Sequence, residues 1–151
     1  TFSLSQRLNE ISEVEVKEAQ EGDILKNGVV YIAPGGKHKR VVKKGTDYCI
    51  KLSDEPAIDG LRPCANVMYE SLENCQYDEI TCVVLTGMGA DGTKGIQGLA
   101  AHHKKLHVIA QDADTCVVYG MPKAIAQTGL VDEVVPLGSV AETITKNVGV
   151  S

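Results

Sequence analysis

A single carboxylate in a glycine-rich turn is the best candidate for chemistry in this sequence. Residues 86–92 read T-G-M-G-A-D-G, and Asp91 is the only titratable side chain among them. The turn follows a short apolar run at 80–85 and precedes a segment with helical periodicity that begins near Thr93. A loop between a strand and a helix lies at the carboxyl edge of a parallel sheet, where open α/β folds place their sites. These residues therefore form the candidate active edge.

Three chemical roles fit this loop, and the residues around it leave all three open. In a structural role, the glycines supply tight backbone and Asp91 caps the following helix through its carboxylate. In a dinucleotide-binding role, Gly87-x-Gly89-x-x-Gly92 satisfies G-x-G-x-x-G, although the charge of Asp91 would oppose a pyrophosphate at the helix N-terminus. In a catalytic role, Asp91 orients a histidine, as the carboxylate of a Ser-His-Asp triad does.

The composition and charge of the chain exclude several classes of protein. With 151 residues, 43% hydrophobic and 23% charged, the sequence predicts one globular domain. The net charge of -5 disfavours nucleic acid as a partner, and no apolar run reaches the roughly 18 residues that a membrane span needs. Five cysteines without a C-x-x-C pair favour a reduced, cytoplasmic chain. The four histidines are not spaced as metal ligands, so we expect neither a metal nor another cofactor.

Alternating strand and helix patterns position the candidate loop. Strands are predicted at residues 14–16, 28–33, 39–43, 48–52, 80–85, 106–110 and 131–135. Helices are predicted at residues 1–10, at 64–74, from 93, at 121–127 and after Ser139, where Glu142 completes a capping box. Strands alternate with helices from residue 64 onward, which predicts an α/β fold with a mostly parallel sheet and helices on both faces. The turn at 44–47 predicts one antiparallel hairpin.

Two longer segments are distinctive enough to be compared with known families. They are T-G-M-G-A-D-G at 86–92 and A-Q-D-A-D-T-C-V-V-Y-G-M-P at 110–122, and both resemble signatures of the chemotaxis protein-glutamate methylesterases (CheB). Three shorter segments share the likeness: Y-I-A-P-G-G-K-H at 31–38, the pair Arg62-Pro63, and V-D-E-V-V at 131–135. The resemblance runs in one register and order from about Phe2 to the terminal helix.

The resemblance implies an enzyme that hydrolyses glutamate γ-methyl esters on methyl-accepting chemoreceptors and, in many members, deamidates receptor glutamines. It also implies a three-layer α/β/α sandwich of Rossmann-like type, with a Ser-His-Asp triad at the carboxyl edge of the sheet. Asp91 occupies the position of the triad carboxylate, and the backbone at Met88 lies where the family helps to hold the oxyanion. An N-terminal receiver domain would be a further partner in a full-length protein of this kind.

The sequence departs from the family at the other two members of the triad. The family's serine lies in a G-A-S-T-G-G turn and its histidine in an H-M-P segment, and neither segment occurs in these 151 residues. None of the seven serines has the glycine neighbours of a nucleophile elbow. We therefore expect residues 1–151 to be an N-terminally truncated catalytic domain that lacks its first strand-helix-strand unit and has no esterase activity alone.

Two further departures and two alternative functions accompany this expectation. His38 is the one stand-in for the catalytic base, although we expect it to be an ordinary loop residue. The segment Leu61-Arg62-Pro63-Cys64-Ala65-Asn66 differs from the family's H-R-P-S-V-D, which puts its contacts in doubt. A non-catalytic module that docks on receptors is one alternative function. A dinucleotide-binding domain that uses Gly87-x-Gly89-x-x-Gly92 is the other.

Overall fold

The secondary structure alternates helices and strands much as the hydrophobic pattern predicts. A computed structural model describes residues 1–149. In chain order its elements are α1 (Phe2–Ile11), β1 (Glu15–Glu18), β2 (Val29–Ile32), β3 (His38–Lys44), β4 (Asp47–Ser53), α2 (Ala65–Ser71), β5 (Ile80–Val84), α3 (Thr93–Ala101), β6 (Leu106–Gln111), α4 (Gly120–Ala126), β7 (Glu133–Val135), a 3₁₀ turn (Leu137–Ser139) and α5 (Val140–Val148). Each helix within residues 1–149 is too short or too polar to traverse a lipid bilayer.

The chain divides into two compact units, the first ending at Cys75 and the second beginning at Gln76. In the first unit β1 and β2 form a parallel pair, and α1 packs against β1. Strands β3 and β4 form the predicted antiparallel hairpin, with Val41 opposite Ile50. Helix α2 packs against β3, where the Ser71 hydroxyl accepts a hydrogen bond from the Val41 N–H at 2.9 Å.

The second unit contains a parallel sheet in the order β5-β6-β7. Its middle strand β6 carries Val108 and Ile109, which are completely buried, as expected for a strand with a neighbour on each side. Helix α5 lies against the face of β5 that presents Thr81, because the Asn147 amide donates to the Thr81 hydroxyl at 2.6 Å. Strand side chains alternate between faces, so Cys82 points to the opposite face, and it is also buried.

These elements confirm the predicted α/β class with parallel strands and one antiparallel hairpin. One detail of the prediction is wrong. Ser139 does occupy the N-cap of α5, but its side chain makes no capping hydrogen bond, so the predicted capping box does not form.

Candidate functional site

The glycine-rich loop connects β5 to α3 at the carboxyl edge of the second unit's sheet. Strand β5 ends at Val84 and α3 begins at Thr93, as the periodicity predicts. The N-cap residue of α3 is Gly92, with a φ of 94° that favours glycine over residues with a side chain. The capping position predicted for Asp91 in its structural role therefore belongs to the next residue. Asp91 itself is half-buried beside the start of the helix.

Main-chain hydrogen bonds join this loop to the second signature segment. The Gly87 N–H donates to the Val118 carbonyl at 3.0 Å, and the Gly87 carbonyl accepts from the Met121 N–H at 2.8 Å. The Thr86 hydroxyl accepts from the Val118 N–H at 2.8 Å and donates to the Val118 carbonyl at 3.0 Å. The two segments that carry the family resemblance therefore form one continuous structure.

A close backbone approach at Gly120 fixes the distance between the two segments. A Cβ atom at this position would lie 2.8 Å from the Gly87 carbonyl oxygen and 3.0 Å from the Gly89 nitrogen. Real Cβ atoms essentially never come within 3.0 Å of another heavy atom. The absence of a side chain at position 120 therefore allows α4 to begin directly against the loop.

A buried amide, Gln111, lies where β6 ends between the two segments. Its side chain is 1% exposed. Its Oε1 accepts from the Thr86 N–H at 2.8 Å, and its Nε2 donates to the carbonyl and the hydroxyl of Thr115 at 2.9 and 3.2 Å. The Thr115 hydroxyl also donates to the Asp112 carboxylate at 2.6 Å and accepts from the Leu137 N–H at 3.0 Å. This network ties three loops of the edge together.

The outer surface of the edge is apolar and accessible. Met88 is 86% exposed and Val117 is 91% exposed. A contiguous exposed apolar patch can mark an interaction site, whereas single exposed apolar side chains are ordinary on protein surfaces. Within the described part of the chain, the Met88 N–H donates to no other group. A backbone N–H of this kind is suited to bind an oxyanion.

His38 lies in the first unit and has a structural environment. It is the first residue of β3 and is 1% exposed, so the prediction that it is a loop residue is wrong. Its Nε2 lies 2.9 Å from the Pro56 carbonyl, and because a carbonyl only accepts, Nε2 carries the proton. Its Nδ1 has no hydrogen-bond partner among the described residues. The ring therefore fastens the loop that follows β4 to the hairpin.

Ion pairs hold the same loop from outside. Lys37 contacts Asp54 at 2.7 Å, and the hydrogen bond and charge of Lys37 lower the pKa of that carboxyl. Arg40 contacts Glu55 at 2.6 Å and lowers the pKa of Glu55 in the same way. Burial lowers the pKa of Lys39, a β3 residue that donates to the Tyr31 carbonyl at 2.9 Å. The two ion pairs therefore tie the loop after β4 to residues at the start of the hairpin.

The segment that departs from the family's H-R-P-S-V-D lies at the end of this loop. Leu61 forms a tight turn with Ile58 through two main-chain hydrogen bonds and is 41% exposed. The Arg62 guanidinium donates to the Asp54 carbonyl at 3.1 Å. Cys64 is buried at the N-cap of α2, within which Asn66 lies. Across residues 1–149, no cluster of three or more histidine, cysteine or acidic side chains is arranged to hold a metal ion.

Comparison with known proteins decides the family. Residues 1–144 match the family model described as CheB methylesterase. The chain belongs to the CheB methylesterase family. It is 43% identical over 150 residues to the protein-glutamate methylesterase/protein-glutamine glutaminase of Desulfotalea psychrophila, covering 98% of this chain and 41% of the relative. It is 44% identical over 147 residues to that of Oceanobacillus iheyensis, covering 97% of this chain and 42% of the relative.

A solved structure gives the same relationship. The crystal structure of the Thermotoga maritima CheB methylesterase catalytic domain matches with a TM-score of 0.90 and 36% identity, over 97% of this chain and 76% of that chain. The chain thus spans about two-fifths of the length of the curated relatives that it matches. The family resemblance drawn from the sequence motifs is confirmed.

The sequence motifs predict the candidate loop of this CheB-family chain, but they do not predict the two residues, Gln111 and Gly120, that hold it in place. Gln111 and Gly120 lie within the second signature segment, and the sequence pattern alone assigns neither of them a role. A signal for Gln111 was present, because it is a polar residue at the end of the apolar run 106–110. A polar residue there needs hydrogen-bond partners once the strand is buried.

Proposed function

We propose that this chain is the aspartate-bearing part of a catalytic domain that hydrolyses glutamate γ-methyl esters and deamidates glutamines on chemoreceptors. One observation carries the proposal: the two signature segments interlock at the carboxyl edge of a parallel sheet, with Asp91 half-buried in the loop that they hold. Both compact units belong to this domain in our proposal, which is supported by the match of the family model across residues 1–144.

In the proposed mechanism, a serine attacks the γ-carbonyl carbon of the methylated glutamate while a histidine takes the serine proton. Asp91 holds the histidine in the correct tautomer and stabilises the imidazolium that forms. The Met88 N–H donates to the oxyanion of the tetrahedral intermediate. The histidine then protonates the departing methoxide, methanol leaves, and water hydrolyses the acyl-enzyme. With a glutamine substrate, ammonia leaves in place of methanol.

We propose further that these 151 residues have no esterase activity alone, because they contain no serine or histidine in the family's motifs. Nucleophile and base act as a unit, so the loss of both removes the triad's contribution rather than reducing it. Among the described strands, β1 pairs only with β2, and β5 pairs only with β6. An edge strand with an open side suits pairing with a strand-helix-strand unit that would carry the serine and the histidine.

The test compares the chain with a chimera. In the chimera, residues 1–151 replace the matched part of the Thermotoga maritima catalytic domain, and the part of that domain which this chain does not match is retained. We expect methanol release from methylated receptors by the chimera and none by the 151-residue chain. Turnover by the chain alone would contradict the proposed division of the triad, and an inactive but folded chimera would contradict the proposed function.

The exposed apolar rim at Met88 and Val117 also fits a non-catalytic module that docks on receptors. In that case the chain would compete with an active methylesterase for receptors, and the chimera would bind them without turnover. The dinucleotide-binding alternative predicts a higher unfolding temperature in saturating NAD(P), because a ligand that binds the folded state stabilises it. In our proposal the partners are methylated chemoreceptors and a receiver domain, and the site of action is the cytoplasm.

A further inference from the structure

We infer that Gln111 is a positioning residue that sets the loop 86–92 in its reactive conformation, an inference that rests on the proposed function. Its side chain would act on the reaction through the backbone of Thr86 and Gly87, which leads directly to Met88 and Asp91. It would not touch the substrate itself.

The ladder between β5 and β6 shows why a side-chain amide is needed at this point. Main-chain pairing of the two strands ends at Val84 and Ala110. Strand β6 continues beside β7, where the Asp112 N–H donates to the Val135 carbonyl at 2.9 Å. The loop 86–92 leaves the sheet in another direction, so no main-chain carbonyl of β6 is in place to accept the Thr86 N–H. The Gln111 Oε1 accepts this N–H at 2.8 Å and so continues the ladder with a side chain.

The hydrogen-bonding pattern permits one orientation of the Gln111 amide. The Thr86 N–H is a donor and the Thr115 carbonyl is an acceptor, so Oε1 must face the first and Nε2 the second. Both Nε2 hydrogens are used, one on the Thr115 carbonyl and one on its hydroxyl. A glutamine amide matches this site, whereas an apolar side chain or a carboxylate does not.

The Thr115 hydroxyl is equally saturated, which makes the network rigid. It accepts from Gln111 and from the Leu137 N–H, and it donates its own hydrogen to the Asp112 carboxylate. A hydroxyl has one donor and two acceptor positions, and all three are filled. The position of Thr86 is therefore coupled to the loops after β6 and β7.

Two substitutions separate the functions of the amide. Gln111→Met keeps the length of the side chain and removes all three hydrogen bonds. Gln111→Glu keeps an acceptor for Thr86 but places a second oxygen against the Thr115 carbonyl. Protonation would relieve that repulsion, and both burial and the nearby Asp112 carboxylate raise the pKa of a carboxyl group introduced there. The loop 86–92 of the Gln111→Glu variant should therefore approach its parental conformation at low pH and depart from it as the pH rises.

Hydrogen exchange in the 151-residue chain measures the loop directly. In Gln111→Met we expect the Thr86 amide to exchange about 10-fold faster or more, because its buried N–H loses its acceptor. We expect the Met88 and Gly89 amide resonances to shift as well. Gln97→Met is the matched control, because Gln97 is exposed on α3 in the same unit. In Gln111→Glu, the Met88 resonance should return towards its parental position as the pH is lowered.

Kinetics in the chimera distinguish positioning from simple stability. We expect Gln111→Met to lower kcat at least 10-fold with little change in KM, and Gln97→Met to leave both unchanged. If the Thr86 amide of Gln111→Met exchanges at the parental rate, or exchanges faster while kcat is unchanged, the inference about Gln111 is overturned and the proposed function is not affected. If Gln111→Met does not fold, the pH response of Gln111→Glu decides, and a Met88 resonance insensitive to pH would overturn it. An inactive parental chimera would instead contradict the proposed function.

Discussion

Replacing Gly120 with alanine is expected to destabilise the second unit, because this glycine holds the two signature segments together. Its φ lies outside the left-handed region, so alanine can adopt the backbone conformation without strain. The added Cβ would lie 2.8 Å from the Gly87 carbonyl oxygen, and 3.0 and 3.2 Å from the nitrogen and oxygen of Gly89. All three are main-chain atoms, which cannot rotate aside as a side chain can.

The size of the effect follows from two opposing contributions. Overpacking a tight contact costs about 1–3 kcal/mol. Alanine in place of glycine stabilises a compatible helical position by about 0.4–1 kcal/mol. The clash should exceed this gain and leave a net loss of about 1–2 kcal/mol in the free energy of unfolding. With a urea m-value of about 2 kcal/mol/M, the midpoint should fall by about 0.5–1 M.

Urea unfolding of three alanine variants tests this explanation. Gly138→Ala is the matched control, because a Cβ at position 138 would meet no atom within 4 Å. Gly87→Ala should be intermediate, since its Cβ would meet the Met121 Sδ at 2.5 Å and this flexible side chain can turn away. If Gly120→Ala unfolds at the same urea concentration as Gly138→Ala, the close approach does not hold the segments together and the reasoning is refuted.

Two further predictions concern the first unit. Ser71→Ala is expected to lower the free energy of unfolding by about 1–2 kcal/mol, because the Val41 N–H loses its acceptor in a half-buried contact. Urea unfolding beside the exposed Ser3→Ala measures this loss, and equal stabilities would contradict it. Lys37→Ala is expected to raise the pKa of Asp54 towards its ordinary value, because the hydrogen bond and charge of Lys37 lower it. Carboxyl-carbon NMR titration measures the shift, which high salt should reduce in the parent. A carboxyl group whose pKa is lowered in the folded state stabilises the fold when the pH is above its ordinary pKa. The contribution of Asp54 to stability should therefore disappear as the pH falls through its lowered pKa.

Hydrophobic periodicity was sufficient to predict the elements, although it overstates their burial, because β2 and β7 contain no fully buried residue. The run at 106–110 became β6, the most buried strand, and the alternation before residue 17 became β1. The turn at 44–47 gave the hairpin, since Gly45 adopts a φ of 64° that the turn requires. Element boundaries differ from the predictions by a few residues, as expected when only local sequence is used.

The position of single side chains could not be predicted in the same way. Whether Asp91 or Gly92 caps α3 depends on the φ of one residue, and the sequence pattern permits both. The role of Gln111 depends on Thr86, which is 25 positions away and meets it only after β5 and β6 pair. The burial of His38 depends on Pro56, which the hairpin brings back to it. Contacts between distant segments need the fold before they can be identified.

We propose that Asp91 is the carboxylate of a catalytic triad held by the interlocked signature segments. The most direct test of this role is the kcat for methanol release by the chimera carrying Asp91→Asn, with Asp114→Asn as the control, because Asp114 is exposed on the same edge. We expect Asp91→Asn to lower kcat by about 10³–10⁴-fold, by analogy with the effect of this change in a serine-protease triad. The control should retain the parental rate. A kcat in Asp91→Asn within about twofold of the parent, a change worth only ~0.4 kcal/mol in the barrier, would contradict the claim.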